Sequence, residues 1–141
     1  MAESYQDLMV WQKGMDLAEE IYRLVKLMPK EETYALSDQM RRAAISVPSN
    51  IAEGKNRNSQ KEFKQFLSVA RGSAAELETQ LLLSVRIDYL KAEDINCAVL
   101  LCKEVGKMLN SLMNSITPCS LQLGACSFYR MEEGFYVIGN A

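Results

Sequence analysis

The sequence predicts an all-α protein, an antiparallel up-down-up-down four-helix bundle, and three observations lead there. Apolar residues recur at three- and four-residue steps through four long segments, the signature of amphipathic helices. Glycine (7) and proline (3) are scarce in 141 residues, and little β-branched alternation precedes residue 118. The connections between segments are short, which favours antiparallel neighbours. With 48% apolar residues the chain can fill the core of one domain. The bundle is expected over residues 1–117 and a short C-terminal tail over 118–141.

The first helix is expected over residues 8–28, where Leu8, Trp11, Met15, Ala18, Tyr22 and Val25 make one stripe. Leu17, Ile21, Leu24 and Met28 widen it. Pro29 should end this helix, because the residue before a proline is pushed out of the helical region. Gly14 inside it marks either a close helix contact or a tolerated glycine.

The second helix is the informative one. Leu36, Met40, Ala43/Ala44, Val47 and Ile51 keep one face on both sides of Pro48. A turn at Pro48 would reset that phase. An interior proline costs roughly 3 kcal/mol and usually kinks a helix, so one helix kinked at Pro48 is expected over about residues 36–54. A hydroxyl of Ser46 or Ser49, or a water, can serve the carbonyl freed near Ala44, and Gly54 is expected as a left-handed C-cap. The competing reading starts a new helix at Pro48, where proline suits the first turn.

Lys55 to Asn58 read as a basic loop, and Ser59-Gln60-Lys61-Glu62 as an S-x-x-E capping box that opens the third helix, residues 60–87. Its stripe is Phe63, Phe66/Leu67, Ala70, Ala74, Leu77, Leu81 and Val85. The small residues Gly72, Ser73, Ala74 and Ala75 admit another backbone, within the subunit or from a neighbouring one. The fourth helix, residues 92–116, carries Ile95, Ala98/Val99, Cys102, Val105, Leu109, Leu112/Met113 and Ile116 on one side. Glu93 and Asp94 suit its N-terminal dipole, and Pro118 stops it. In the tail, residues 127–131 and 135–138 are either the two strands of a hairpin or part of a disordered segment.

Catalytic and metal chemistry find little to use. There is no histidine, so nucleophile–base pairs and the Glu-x-x-His pairs of bundle di-metal sites are missing. No phosphate-binding glycine loop is present. Glu53, Glu76 and Glu78 read as solvated or salt-bridged helix positions. The four cysteines form no CxxC pair, a poor match to zinc, and Cys97 and Cys102 read as small buried hydrophobes. No cofactor, metal or small-molecule substrate is expected, nor a membrane partner, since no apolar run reaches the ~18 residues of a membrane span. A reduced, cytoplasmic, non-enzymatic protein is expected.

Charge distribution is more telling than the net −2. Residues 1–40 carry four basic and eight acidic side chains, residues 41–71 seven and two, and residues 72–141 five and eight. The basic island comprises Arg41, Arg42, Lys55, Arg57, Lys61, Lys64 and Arg71. In an antiparallel hairpin Lys55, Arg57, Lys61 and Lys64 fall at one end, where they suit phosphate oxygens. The plain alternative is a solvated helix end with Glu53 and Glu62 as local partners. Arg41, Arg42 and Arg71 are further candidates for the nucleic-acid contact, or else for salt bridges within the bundle or between subunits. Arg71, Gly72 and Ser73 are candidates for subunit or close-packing contacts.

The stretches LMVWQKGMDLAEEIY (residues 8–22), RRAAISVPSNIAEG (41–54) and FLSVARGSAAELETQL (66–81) closely resemble the family of 23S ribosomal RNA intervening-sequence proteins, over about residues 7–116. The same fold occurs in accessory variability proteins of retroelements, where it assists a reverse transcriptase. The resemblance implies a four-helix bundle assembled as a homopentamer, and a role with structured RNA or a nucleoprotein. This chain is slightly acidic where the retroelement relatives are strongly basic, and its tail lies outside the resemblance. Two functions are therefore carried forward. One is an oligomeric bundle that binds RNA or a nucleoprotein through the basic end. The other is a homo-oligomeric scaffold or protein-interaction module without nucleic acid.

Overall fold

The computed structural model describes residues 4–116, 127–131 and 134–138. A 3-10 turn at Tyr5–Asp7 precedes α1 (Met9–Val25), α2 (Leu36–Lys55), α3 (Gln60–Arg86) and α4 (Ala92–Ser115). Each helix packs on the next and α4 closes back onto α1, an antiparallel four-helix bundle. After α4, β1 (Ser127–Met131) and β2 (Gly134–Ile138) pair antiparallel with Tyr129 opposite Tyr136. Cys119, Cys126 and the remainder of the expected tail lie outside the described residues.

Local chemistry sets the helix ends. The Ser59 hydroxyl accepts the Glu62 N–H at 3.3 Å, so the serine half of the expected capping box opens α3. At α4 the Asp94 carboxylate accepts the Lys91 N–H at 3.0 Å, satisfying a donor that a helix start leaves free. Asp88 takes a left-handed φ of 61° just past α3, and the Tyr89 N–H returns to the Ser84 carbonyl. Aspartate tolerates that conformation better than most residues. α1 stops at Val25, earlier than expected. The turn through Leu27 and Met28, held by N–H bonds to Leu24 and Val25, is already set before Pro29.

Pro48 lies inside α2, buried, and the helix is unbroken from Leu36 to Lys55. The Ser46 hydroxyl bonds the Ser73 hydroxyl at 2.8 Å and accepts from the Asn50 amide at 2.9 Å. That amide also reaches the Ser46 carbonyl at 2.7 Å. The proline lies against α1. Gly14 faces it, and a Cβ there would stand 3.5 Å from Pro48 Cβ and 3.3 Å from Val47 Cγ1.

The core comprises Met40, Ala44, Val47 and Ile51 of α2, Leu67, Ala70, Leu77 and Leu81 of α3, and Ala98, Val105 and Leu109 of α4. These are the expected stripes. On α1 the wide expected stripe is buried only in part. Leu17, Ile21 and Leu24 are fully buried, whereas Met15 and Tyr22 are exposed and Leu8, Trp11 and Ala18 only half-buried. The bundle covers Val10, Gly14, Leu17, Ile21, Leu24 and Val25 and leaves Met15 and Tyr22, at the margin of the stripe, outside. Further apolar side chains face outward at Ile45, Val69, Leu82, Leu83 and Leu100.

Cys102 is buried as expected, and Cys97 is exposed, contrary to expectation. Burial, with the nearby Glu78 charge adding to it, pushes the Cys102 thiol up to about 12, so at neutral pH it carries its proton and is a poor nucleophile. Alkylation of the native protein at about pH 8 should therefore label Cys97 and spare Cys102 until denaturant is added. Peptide mass spectrometry reads the two sites separately.

Candidate nucleic-acid interface

The end of α2, the four-residue turn Asn56–Ser59 and the start of α3 form one corner of the bundle. Its geometry follows from close packing at Gly54. The expected left-handed cap does not form there. Gly54 is helical and buried, α2 continues through Lys55, and Asn56 ends it in a right-handed conformation. A Cβ at Gly54 would lie 2.6 Å from Phe66 Cβ and 3.1 Å from Phe63 Cδ1, so this glycine lets α3 approach α2. Lys55 accordingly sits on the last turn of the helix rather than in the loop.

Two cations lie over two aromatic rings at this contact. Lys55 Nζ is 5.9 Å from the centre of Phe63, and Arg57 Cζ is 5.1 Å from the centre of Phe66. Arg57 also holds Glu53 at 2.8 Å, one of the local partners anticipated from sequence. Lys61 and Lys64 stand on the first turns of α3, and neither makes an ion pair among the described residues. The structure thus brings Lys55, Arg57, Lys61 and Lys64 to one corner. Phe63 and Phe66 were read from sequence only as stripe residues. Their ring-to-cation contacts depend on how closely α2 and α3 pack, and Gly54 facing two phenylalanines was the available signal.

The other candidates lie elsewhere. Arg41 and Arg42 sit on the opposite half of α2, about 20 Å along the axis from Lys55. Arg41 donates to the Thr33 carbonyl at 3.5 Å, and Arg42 pairs with Asp38 at 3.0 Å. Arg71, about 10 Å up α3 from Lys64, donates to the Asn110 side chain on α4 at 2.8 Å. Ser73 faces inward to Ser46, whereas Gly72 faces outward, and a Cβ there would meet nothing within 4 Å. The small-residue run therefore divides, with Ser73 and Ala74 packed inside the bundle and Gly72 and Ala75 outside. No helix of the described residues is long and apolar enough to cross a membrane.

These features define a compact antiparallel helical bundle with an aromatic-backed basic corner. Residues 6–111 match the model of the 23S rRNA-intervening sequence protein family, and the chain belongs to that family. It is similar to a solved structure described as a protein of unknown function from the S23 ribosomal protein family of Bacteroides thetaiotaomicron. The two share 28% identity at a TM-score of 0.69, over 74% of this chain and 97% of the other. No curated protein matches the sequence.

The Gly54 contact admits a direct test. Gly54→Ala should destabilise the fold by about 1–3 kcal/mol, because the added methyl meets a Cβ anchored to backbone rather than a flexible side-chain tip. Chemical denaturation monitored by circular dichroism measures this. An unchanged midpoint would mean that α2 and α3 do not approach so closely.

Proposed function

We propose that this protein is a non-enzymatic, oligomeric helical bundle that binds structured RNA or a nucleoprotein through the corner formed by Lys55, Arg57, Lys61 and Lys64. The observation that carries the reading is the convergence of four cations from three consecutive segments onto one bundle end. Three of them, Lys55, Lys61 and Lys64, have no acidic partner among the described residues. Membership of a family described by 23S rRNA supports it. Phosphate groups bind such clusters through charge and shape, and the chain needs no net positive charge for a local cluster to act. A reducing cytoplasmic setting suits the free thiols Cys97 and Cys102.

Replacing Lys55, Arg57, Lys61 and Lys64 by glutamine should weaken binding to structured RNA and lower the salt slope of log K by about 3. The fold and assembly should not change. Filter binding across a salt series reads the first, and light scattering the second. Wild-type affinity in this variant, or loss of assembly in its place, rules the corner out.

A second reading, a homo-oligomeric scaffold without nucleic acid, is favoured by the outward apolar side chains. Leu82 and Leu100 flank a groove of about 750 Å³ that also takes in Val85, Ile95 and Val99, with Arg86 and Lys103 beside them. The family resemblance makes a homopentamer the assembly to test. Light scattering of the purified chain should give about five times its monomer mass, and a clean monomer would remove self-association from both readings.

A further inference from the structure

We propose that Arg57, held over the Phe66 ring, is a platform for an unpaired RNA base, so that within a structured RNA the corner prefers unpaired segments to duplex. This rests on the RNA-binding reading above and narrows its ligand. Cation–aromatic contacts occur about once per 70–80 residues in folded proteins. Here two fall within residues 55–66, on rings one helical turn apart. That density sets the corner apart from an ordinary solvated helix end.

The guanidinium of Arg57 is a plane held from two directions. Phe66 lies beneath it with the ring centre 5.1 Å from Cζ, and Glu53 accepts from one terminal nitrogen at 2.8 Å. Phe66 is itself held, because its Cβ lies against the backbone of Gly54, where no side chain intervenes. A guanidinium held by a ring and by a carboxylate is pre-organised to stack a planar group on a face left open. The Arg57 side chain keeps 45% of its surface exposed, which leaves room for that group. Bases of single-stranded RNA stack in this way on aromatic rings and on arginine planes.

The surroundings complete a nucleotide site. Lys61 and Lys64 supply charge for the flanking phosphates, and Asn56 and Asn58 on the exposed turn carry amides for a base edge. Within a duplex both faces of a base are covered by its neighbours. Paired RNA therefore engages only the charges, whereas an unpaired strand engages the charges and the plane.

The full chain is tested by fluorescence anisotropy against a labelled, unstructured RNA about 12 nucleotides long and a duplex of the same sequence. Wild type should prefer the single strand by about fivefold or more. Arg57→Lys keeps the charge and removes the plane, so its single-strand affinity should fall several-fold more than its duplex affinity and the preference should be lost. Phe66→Leu, checked for folding by thermal melt, should do the same. Quenching of 2-aminopurine in the bound single strand by wild type, absent with Arg57→Lys, reports the stack itself. A full single-strand preference in Arg57→Lys, or equal binding of both RNAs by wild type, overturns the stacking platform and leaves the RNA reading intact. Absence of salt-dependent binding of these RNAs and of a structured RNA that carries unpaired loops overturns both.

Discussion

The structure depends on α2 remaining one rod through Pro48. A proline in a helix interior removes one backbone hydrogen bond and crowds the preceding turn, so the rod has to be held by its neighbours. On one side α1 presents Gly14, where a Cβ would press on Val47 Cγ1 at 3.3 Å and just reach Pro48 Cβ at 3.5 Å. On the other, Ser73 of α3 ties Ser46, and Asn50 doubles back onto Ser46 within the same turn. These contacts flank the proline, so the segment at risk of breaking is held by both neighbouring helices. Six residues beyond Pro48, Gly54 brings α3 against α2 a second time.

That second approach also builds the basic corner. Because α2 continues to Lys55 and α3 restarts at Gln60, only the turn Asn56–Ser59 separates the two helices. Cations from the end of one helix then reach rings on the first turns of the next. Packing and surface chemistry share the same residues there: Phe63 and Phe66 touch Gly54 with one part and receive Lys55 and Arg57 with another. One acidic side chain, Asp38, is held by Arg42 on the opposite half of α2, and Glu20 is held by Arg23 on α1.

The outer surface differs in character from the corner. α1 carries more apolar side chains than two neighbouring helices can cover, which leaves Met15 and Tyr22 outside. Leu82, Leu83 and Leu100 do the same on α3 and α4. Single apolar residues on a surface are ordinary, but a groove between two helices with several along its walls is the kind of surface that interaction sites use. The self-association considered above draws on that surface, and the RNA reading on the corner, so the two are physically separable.

The sequence by itself determined the helix count, the continuity of α2 and the inward residues of α2, α3 and α4. Each follows from a three- and four-residue period that survives in one dimension, and at Pro48 the unbroken phase outweighed the local meaning of proline. The grouping of Lys55, Arg57, Lys61 and Lys64 was legible for the same reason, since a short turn between antiparallel helices leaves no other arrangement. Tertiary structure alone decided which part of the wide apolar stripe on α1 faces the core, because periodicity identifies a face and not the neighbours that cover it. It also decided the role of Gly54. A glycine near a helix end reads as a left-handed cap, and only the position of Phe66, 2.6 Å from where its Cβ would be, makes it a contact point. Arg41 and Arg42 parted from the corner because they are neighbours of Lys55 in charge pattern but lie about 20 Å away along a rigid helix.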